Sequence, residues 1–401
     1  MRICVVAEKY PLLSETFVRA QVEGLAARGH EVEVLCSEAM ADGPGGGPGV
    51  RRRWGVFAAA NRPVGRAAPR LRHKAWRLMD RLDAGYLSGF DAVLAHFGYQ
   101  GARVASALRG APRAPPLVTI YHGHDVATVA HDGAMWIYDE LFRTGALHLA
   151  VNDAFRRTLV AAGSPADRTL VHRMGISADA FAFRQRDWSE RPLRILTVGR
   201  LTEKKGIACA IEALGHLARR HPQIDWRHEI VGTGELEEAL HRQAAASPVA
   251  GRIAFLGARP HDEVRHRLDA AHIFLLPSVT AANGDAEGVP VSLMEAMSSG
   301  ALVVSSAHSG IPELVEDGVT GFLAPERDAA ALALRIAAAA RVAEPGRIAR
   351  AAREKVGRDF DAARQMDRLE DLLAGLAPAA RDAQPPRSAR RPWPIRGPEA
   401  R

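Results

Sequence analysis

Short runs of β-branched and aliphatic residues alternate with longer segments of helical period along most of the chain. In the first half the short runs are RICVVA (2–7), EVEVLC (31–36), DAVLAH (91–96), LVTIY (117–121), LHLAV (147–151) and TLVHR (169–173). In the second half they are LRILTV (193–198), WRHEIV (226–231), RIAFL (252–256), HIFLLP (272–277) and ALVVS (301–305). Each has strand length, and most are separated by a stretch with the 3.6-residue apolar period of a helix. Such alternation predicts parallel sheets with helices on both faces. The series breaks once, at the polar stretch RQRDWSERP (184–192). The expected fold class is therefore α/β, with two Rossmann-like domains of similar size facing a cleft, over 1–186 and 192–358. Ligands of such sheets bind beyond the carboxyl ends of the strands, so two facing sheets would place two sets of loops around one crevice.

Three segments depart from this rhythm. ADGPGGGPG (41–49) has no capacity to form a core. FDAARQMDRLEDLLAGL (360–376) carries helical spacing at Met366, Leu369, Leu372 and Leu373. It predicts a last helix, 359–376, packed back on the first domain. The remainder, 377–401, is Pro- and Arg-rich and reads as a disordered tail.

Composition adds bounds. At 401 residues the chain exceeds one ordinary core, which agrees with two domains. A hydrophobic fraction of 47% and a charged fraction of 25% describe a globular protein, with no apolar run long enough to span a bilayer. The opening MRICVVAEKY has an apolar run too short for a signal peptide, so a cytoplasmic location is expected. Cys4, Cys36 and Cys209 show no CxxC spacing and read as thiols. The net charge of +7 rests on Arg in a chain with only five Lys, and by itself does not argue for nucleic acid. Its distribution is more telling. Residues 49–81 carry ten Lys and Arg against one Asp, with Trp and Leu interleaved, inside a basic insertion at 41–81. That stretch is either a solvated insertion or a surface for anionic lipid or phosphate-bearing acceptors; peripheral contact with the inner membrane face follows from the second reading.

The candidate chemistry sits where strands end. GDAEGVPVSLMEAMSSG (284–300) holds Glu287 and Glu295 with seven residues between them, around the turn Gly288, Val289, Pro290. Pro290 suits the first turn of a helix, and Glu287 would stand before its positively polarised end. Glu295 would lie inside the helix, where a carboxylate can take both hydroxyls of a ribose. Two carboxylates so placed are hydrogen-bond acceptors for two parts of one ligand; helix-surface charge is the other reading. TVGRLTEKKG (197–206) is a strand, a turn and a helix start, with Gly199 allowing close backbone approach and Arg200 and Lys205 flanking the turn. Cations beside a helix N-terminus suit a diphosphate, and an ordinary charged turn has the same appearance. Gly232 and Gly234 in VGTGEL (231–236) permit tight packing near a nucleotide without completing a dinucleotide fingerprint. Arg259 follows another strand and could flank a base. In the first half, His122 and Asp125 of YHGHD (121–125) face or orient the crevice loop; His122 and His124 find no third ligand, so no metal is expected. Ser14, Glu15 and Thr16 in YPLLSETF (10–17) open a helix whose free N–H groups could face phosphate or acceptor, or are simply capped.

Taken in order, TVGRLTEKKG, VGTGEL, FLLPS, EGVPVSLMEA and HSGIPELVEDGVTGFLAP resemble the GT-B glycosyltransferases of family 4, most strongly over 193–326 and in outline over 1–376. YHGHD and YPLLSETF are similar to exopolysaccharide enzymes of the colanic acid type. The resemblance implies a retaining, metal-independent hexosyltransferase. It would use a nucleotide-diphosphate sugar, UDP-galactose or UDP-glucose being favoured, and a lipid-linked saccharide acceptor, with no cofactor. It implies that Arg200 and Lys205 stabilise the leaving diphosphate, that Glu287 positions the donor sugar and Glu295 the ribose, and that His122 lines the sugar pocket. The usual glycine pair after the first strand is absent, with YPLLSETF in its place. A sugar-nucleotide epimerase on the same fold and a non-catalytic sugar-nucleotide binder are the other readings. A dehydrogenase would need GxGxxG after a first strand, which neither half has.

Overall fold

The computed structural model describes residues 1–11, 16–39, 50–54, 84–111 and 113–376. The segments 41–49 and 55–81 of the basic insertion, and the tail 377–401, lie outside the described residues, as do Ser14 and Glu15.

Two wholly parallel sheets carry the fold. The first has seven strands in the order β3-β2-β1-β4-β5-β6-β7, and the second six in the order β10-β9-β8-β11-β12-β13. The first runs from β1 (Arg2–Tyr10), β2 (Glu31–Ala39) and β3 (Val50–Trp54) through β4 (Ala92–His96) and β5 (Leu117–Tyr121) to β6 (Leu147–Ala150) and β7 (Thr169–Val171). The second contains β8 (Leu193–Val198), β9 (Trp226–Val231), β10 (Ile253–Gly257), β11 (Ile273–Leu276), β12 (Leu302–Ser306) and β13 (Phe322–Ala324). Each sheet winds outward in both directions from its first strand, the doubly wound Rossmann order. In the first, β1 pairs with both β2 and β4; in the second, β8 pairs with β9 and β11. The switch points, where strand order reverses, fall beside β1 and β8 and open ligand crevices at their carboxyl ends.

All eleven expected strands are present. The strands β3 and β13 are additions. Residues 50–54 stand in the stretch read as an insertion, yet pair in parallel with β2 as an edge strand. An edge position tolerates charge, which hides such a strand from an apolar pattern. Strand β13 has three residues, too few to show a period.

The chain crosses between the sheets twice. Ile176 N–H donates to Phe360 O at 3.0 Å, and Ala362 N–H donates to Ile176 O at 2.9 Å, so the two crossings run side by side. After the second, the helix Ala362–Leu376 sets Met366, Leu369 and Leu373 into the apolar core of the first sheet. His30 and Arg28 of the first sheet's side fix it through Glu370, at 2.8 and 3.4 Å.

Two glycines are demanded by close approach. Gly206 has φ +65, and a Cβ there would lie 1.8 Å from Pro277 O; Gly232 has φ +137, and a Cβ would lie 1.9 Å from Gly199 O. Both conformations and both clearances exclude a side chain. They press the turn after β8 against its neighbours after β11 and β9. No helix among the described residues is long and apolar enough to cross a membrane.

Candidate active site

Between the sheets lies a cavity of about 630 Å³. Its second-sheet wall is made by the turn after β8 and the long loop after β11. The 3-10 turn Glu203–Lys205 leads through Gly206 into the helix Ile207–Arg220. The other loop runs from Pro277 to Pro290 and enters the helix Val291–Ser299. The two are stitched together along their length. Val279 N–H donates to Lys204 O at 2.9 Å, and Ala282 N–H donates to Glu203 Oε2 at 2.9 Å. Lys204 Nζ pairs with Asp285 Oδ2 at 2.9 Å, and Lys205 Nζ with Glu287 Oε1 at 2.9 Å. Arg200 lines the same cavity, is exposed, and meets no acidic partner among the described residues.

Glu287 is 7% exposed. Burial pushes its carboxyl up, but the ammonium groups of Lys205 and Lys204 outweigh that and hold it below the usual carboxylate range. Its backbone is fixed as firmly. Glu287 N–H donates to His308 Nε2 at 3.0 Å, so that nitrogen carries no proton; Nδ1–H then donates to Glu326 Oε1 at 2.7 Å. Glu326 also accepts Thr280 N–H at 2.9 Å, closing the loop on itself. Replacing His308 with alanine leaves a buried N–H unpaired and lowers stability by about 1–3 kcal/mol. Urea unfolding checks this, and an alanine variant as stable as wild type would contradict the role given to His308.

Pro290 is the residue before the helix rather than within its first turn, and no side chain caps the N–H groups that follow. Pro290, Val291 and Ser292 line the cavity, so the positive end of the helix macrodipole faces it. Glu295, one turn further, also lines the cavity. Burial raises its pKa to about 7, with Arg265 pulling weakly the other way.

The first-sheet wall comes from the ends of β4 and β5. His122 reaches the cavity with its Nε2 3.1 Å from His96 Nδ1. Burial, and then the His96, His124 and His172 charges, push its pKa well below the ordinary histidine value, so the ring is neutral at pH 7. Asp125 does not line the cavity and instead orients the loop, the part the motif suggested for it. It is fully buried and accepts N–H from Gly98 at 2.8 Å, His122 at 3.0 Å and Gly123 at 2.8 Å. Its role is to tie the turn after β4 to the turn after β5. Burial pushes its carboxyl up, and those three N–H groups restrain the rise.

The structure thus gathers His122, Gly199, Arg200, Lys205, Glu287, Gly288, Val289, Pro290 and Glu295 around one cavity. Gly232 and Gly234 stand behind its wall, where their missing side chains admit Gly199 O and Leu201 O. Arg259 lies away from it, paired with Glu263 at 3.4 Å in the next helical turn. Thr16 begins the first helix, but its side chain is outside the described residues. Sequence reasoning missed Asp285, His308 and Glu326, whose roles come from pairings across the loop. It also missed Phe17, Phe97 and Met174 on the opposite wall, which no polar motif marks.

The two sheets are already latched across the cavity. Asn152 Nδ2–H donates to Gly288 O at 2.9 Å, while Glu313 accepts Asp153 N–H at 2.6 Å and pairs with Arg173 at 2.7 Å.

Comparison with known proteins agrees with this geometry. Residues 14–180 match the family model described as Glycosyltransferase Family 4, and residues 179–355 match Glycosyl transferases group 1. The protein of Salmonella typhimurium named "Putative colanic acid biosynthesis glycosyltransferase WcaL" is 34% identical, over 93% of this chain and 99% of that protein. The amylovoran biosynthesis glycosyltransferase AmsK of Erwinia amylovora is 41% identical over 72% of this chain and 70% of its own length. Among solved structures, Anabaena Alr3699/HepE in complex with UDP superposes with a TM-score of 0.73 at 21% identity, covering 94% of this chain and 100% of that one. With a doubly wound sheet on either side of the cavity, and relatives of this identity along nearly its whole length, the chain belongs to the family 4 glycosyltransferases of GT-B fold, in the group named for colanic acid and amylovoran biosynthesis.

Proposed function

We propose that this glycosyltransferase moves a hexose from a nucleotide-diphosphate sugar to a lipid-linked saccharide during exopolysaccharide assembly, with retention at the anomeric carbon and without a metal ion. UDP-galactose and UDP-glucose are the favoured donors, UDP being the ligand of the HepE structure. The observation that carries the reading is the Lys205–Glu287 pair at 2.9 Å, in one cavity with an uncapped helix N-terminus and with Arg200, which has no acidic partner among the described residues.

In this reading the diphosphate lies against the N–H groups of the helix Val291–Ser299, with Arg200 and Lys205 on its oxygens. Glu287, kept ionised by Lys205 and Lys204, accepts hydrogen bonds from the donor hexose. Glu295 accepts the ribose hydroxyls. The neutral imidazole of His122 borders the sugar from the other wall. The C1–O bond to the diphosphate breaks toward an oxocarbenium-like state, and negative charge grows on the departing oxygen. Preorganised cations and N–H groups stabilise that charge. The acceptor hydroxyl enters from the same face, and its proton passes to the leaving phosphate oxygen as the new C1–O bond forms. The basic run 49–81 supplies charge for anionic headgroups around a lipid-linked acceptor.

Calorimetry with UDP, GDP and ADP sugars in the presence of EDTA tests the reading. One nucleotide sugar should bind without metal, and Lys205→Ala should weaken it. Binding that needs a divalent cation, or none at all, would refute it. Product analysis separates transfer from epimerisation, since an epimerase releases altered donor with no acceptor present.

A further inference from the structure

The cleft has two chemically unlike walls. The second-sheet side presents Arg200, Lys204, Lys205, Asp285, Glu287 and Glu295. The first-sheet side, among the described residues, presents Phe17, Phe97, Val151 and Met174 with the imidazoles of His122 and His124, and no Lys, Arg, Asp or Glu.

Phe97 is the unusual member. It has φ 71 and ψ 140, a backbone region that glycine occupies and a bulky residue avoids. The surroundings enforce that conformation. Phe97 N–H donates to Ile120 O at 2.8 Å, its carbonyl accepts N–H from Gln100 and Gly101 at 3.1 and 3.2 Å, and Asp125 holds Gly98 N–H at 2.8 Å. A glycine would meet the same bonds without strain, so the ring itself is what position 97 adds. Phe97 is 6% exposed, and its ring, though outside the aliphatic core, is largely covered by its aromatic neighbours. It stacks on Tyr99 with centroids 5.7 Å apart, lies 4.7 Å from His122, and meets Phe17 edge-on at 6.3 Å. Phe17 in turn lies 4.5 Å from His122.

We propose that Phe17, backed by the nearly buried Phe97, forms an apolar wall for the pyranose ring of a neutral acceptor saccharide. This rests on the donor reading above and extends it to the acceptor's class. A pyranose has an apolar C–H face with hydroxyls around its rim. Aromatic edges and faces receive the former, and the neighbouring imidazoles can bond the latter. A uronate carboxylate or a sugar phosphate on this wall would lose water and find no cation among the described residues, which disfavours it.

Saturation-transfer NMR on the full chain loaded with UDP tests the wall, with methyl α-glucopyranoside, methyl α-galactopyranoside and methyl α-glucuronide as probes. Saturation should reach the ring C–H protons of at least one neutral glycoside, with the glucuronide weaker by about tenfold. Phe97→Leu and, at the partly exposed neighbouring site, Phe17→Leu keep apolar volume but remove the aromatic face. Each should cut the neutral signal by about fivefold or more while UDP affinity, read by calorimetry, stays within about twofold. Absence of transfer, equal transfer to the glucuronide, or a signal that survives both substitutions would overturn the wall. UDP affinity reports separately on the donor reading, which stands if UDP binds wild type and both variants alike.

Discussion

Replacing Lys205 with alanine should lower the turnover of sugar transfer by about 100-fold, the loss typical of one preorganised donor to developing negative charge. The donor KM should move far less, because the Lys205 charge matters most as the diphosphate leaves. The side chain has little freedom to be replaced. Its side chain is 13% exposed, its stem passes 3.5 Å from where a Cβ on Gly199 would stand, and its Nζ is 2.9 Å from Glu287. Truncation also leaves the Glu287 carboxylate buried with only Lys204 near it, and Lys204 is engaged with Asp285 at 2.9 Å. Removing one partner of a buried pair costs about 3–5 kcal/mol, so thermal unfolding must be measured beside turnover. Lys204→Ala is the control, since it removes a cation of the same turn whose partner is Asp285. It should lose turnover by less than about tenfold. Turnover of Lys205→Ala within about threefold of wild type, measured on folded protein, would remove the lysine from the proposed chemistry.

Much of this frame is legible in the sequence, for a physical reason. Strands of a doubly wound sheet are buried on both faces and so announce themselves as apolar runs. The runs at 91–96, 117–121, 193–198 and 272–277 therefore mark strands whose following loops line the cavity. Glu287 and Glu295 are legible as well, because carboxylates beside a glycine–proline turn have no place in an ordinary amphipathic helix. What was not legible depends on partners distant in the chain. His308 serves Glu287 from 21 residues away, and Asp125 holds Gly98 from 27 residues away. Neither spacing has a period. Asp125 also shows that a polar residue in a crevice motif can be wholly buried, its carboxylate spent on backbone N–H groups. Phe97 is hidden most deeply. Its side chain suggests core, and only the φ of 71 separates it from any other phenylalanine after a strand. Arg259 misled in the opposite direction, since a charged residue after a strand is equally suited to the ion pair it makes with Glu263 in the first turn of the following helix.

UDP-glucose should bind about tenfold more tightly at pH 8 than at pH 6, and Glu295 should be the cause. Burial lifts the Glu295 pKa to about 7 in the unliganded cleft. The ionised fraction then falls from about nine-tenths at pH 8 to about one-tenth at pH 6. A carboxylate accepts both ribose hydroxyls, whereas the protonated acid keeps one oxygen occupied by its own proton. UDP-glucose is the suitable ligand because its diphosphate is esterified at both ends and does not titrate in this range, as the terminal phosphate of UDP does. The same group sets a stability trend of opposite sense. Its folded pKa stands above the ordinary 4.5, so the fold favours the protonated form. That contribution is whole below pH 4.5 and is lost as pH rises through about 7. From this group alone the unliganded chain should be less stable at pH 8 than at pH 4.5 by about 3 kcal/mol. Glu295→Gln should therefore flatten both profiles, raising unliganded stability at pH 8 while weakening donor binding there. A wild-type binding profile flat from pH 6 to 8, or a glutamine variant that keeps the slope, would place the ribose elsewhere. The two trends together separate function from packing: a carboxylate kept only for structure would have no reason to occupy a site where its useful ionisation state is the less stable one.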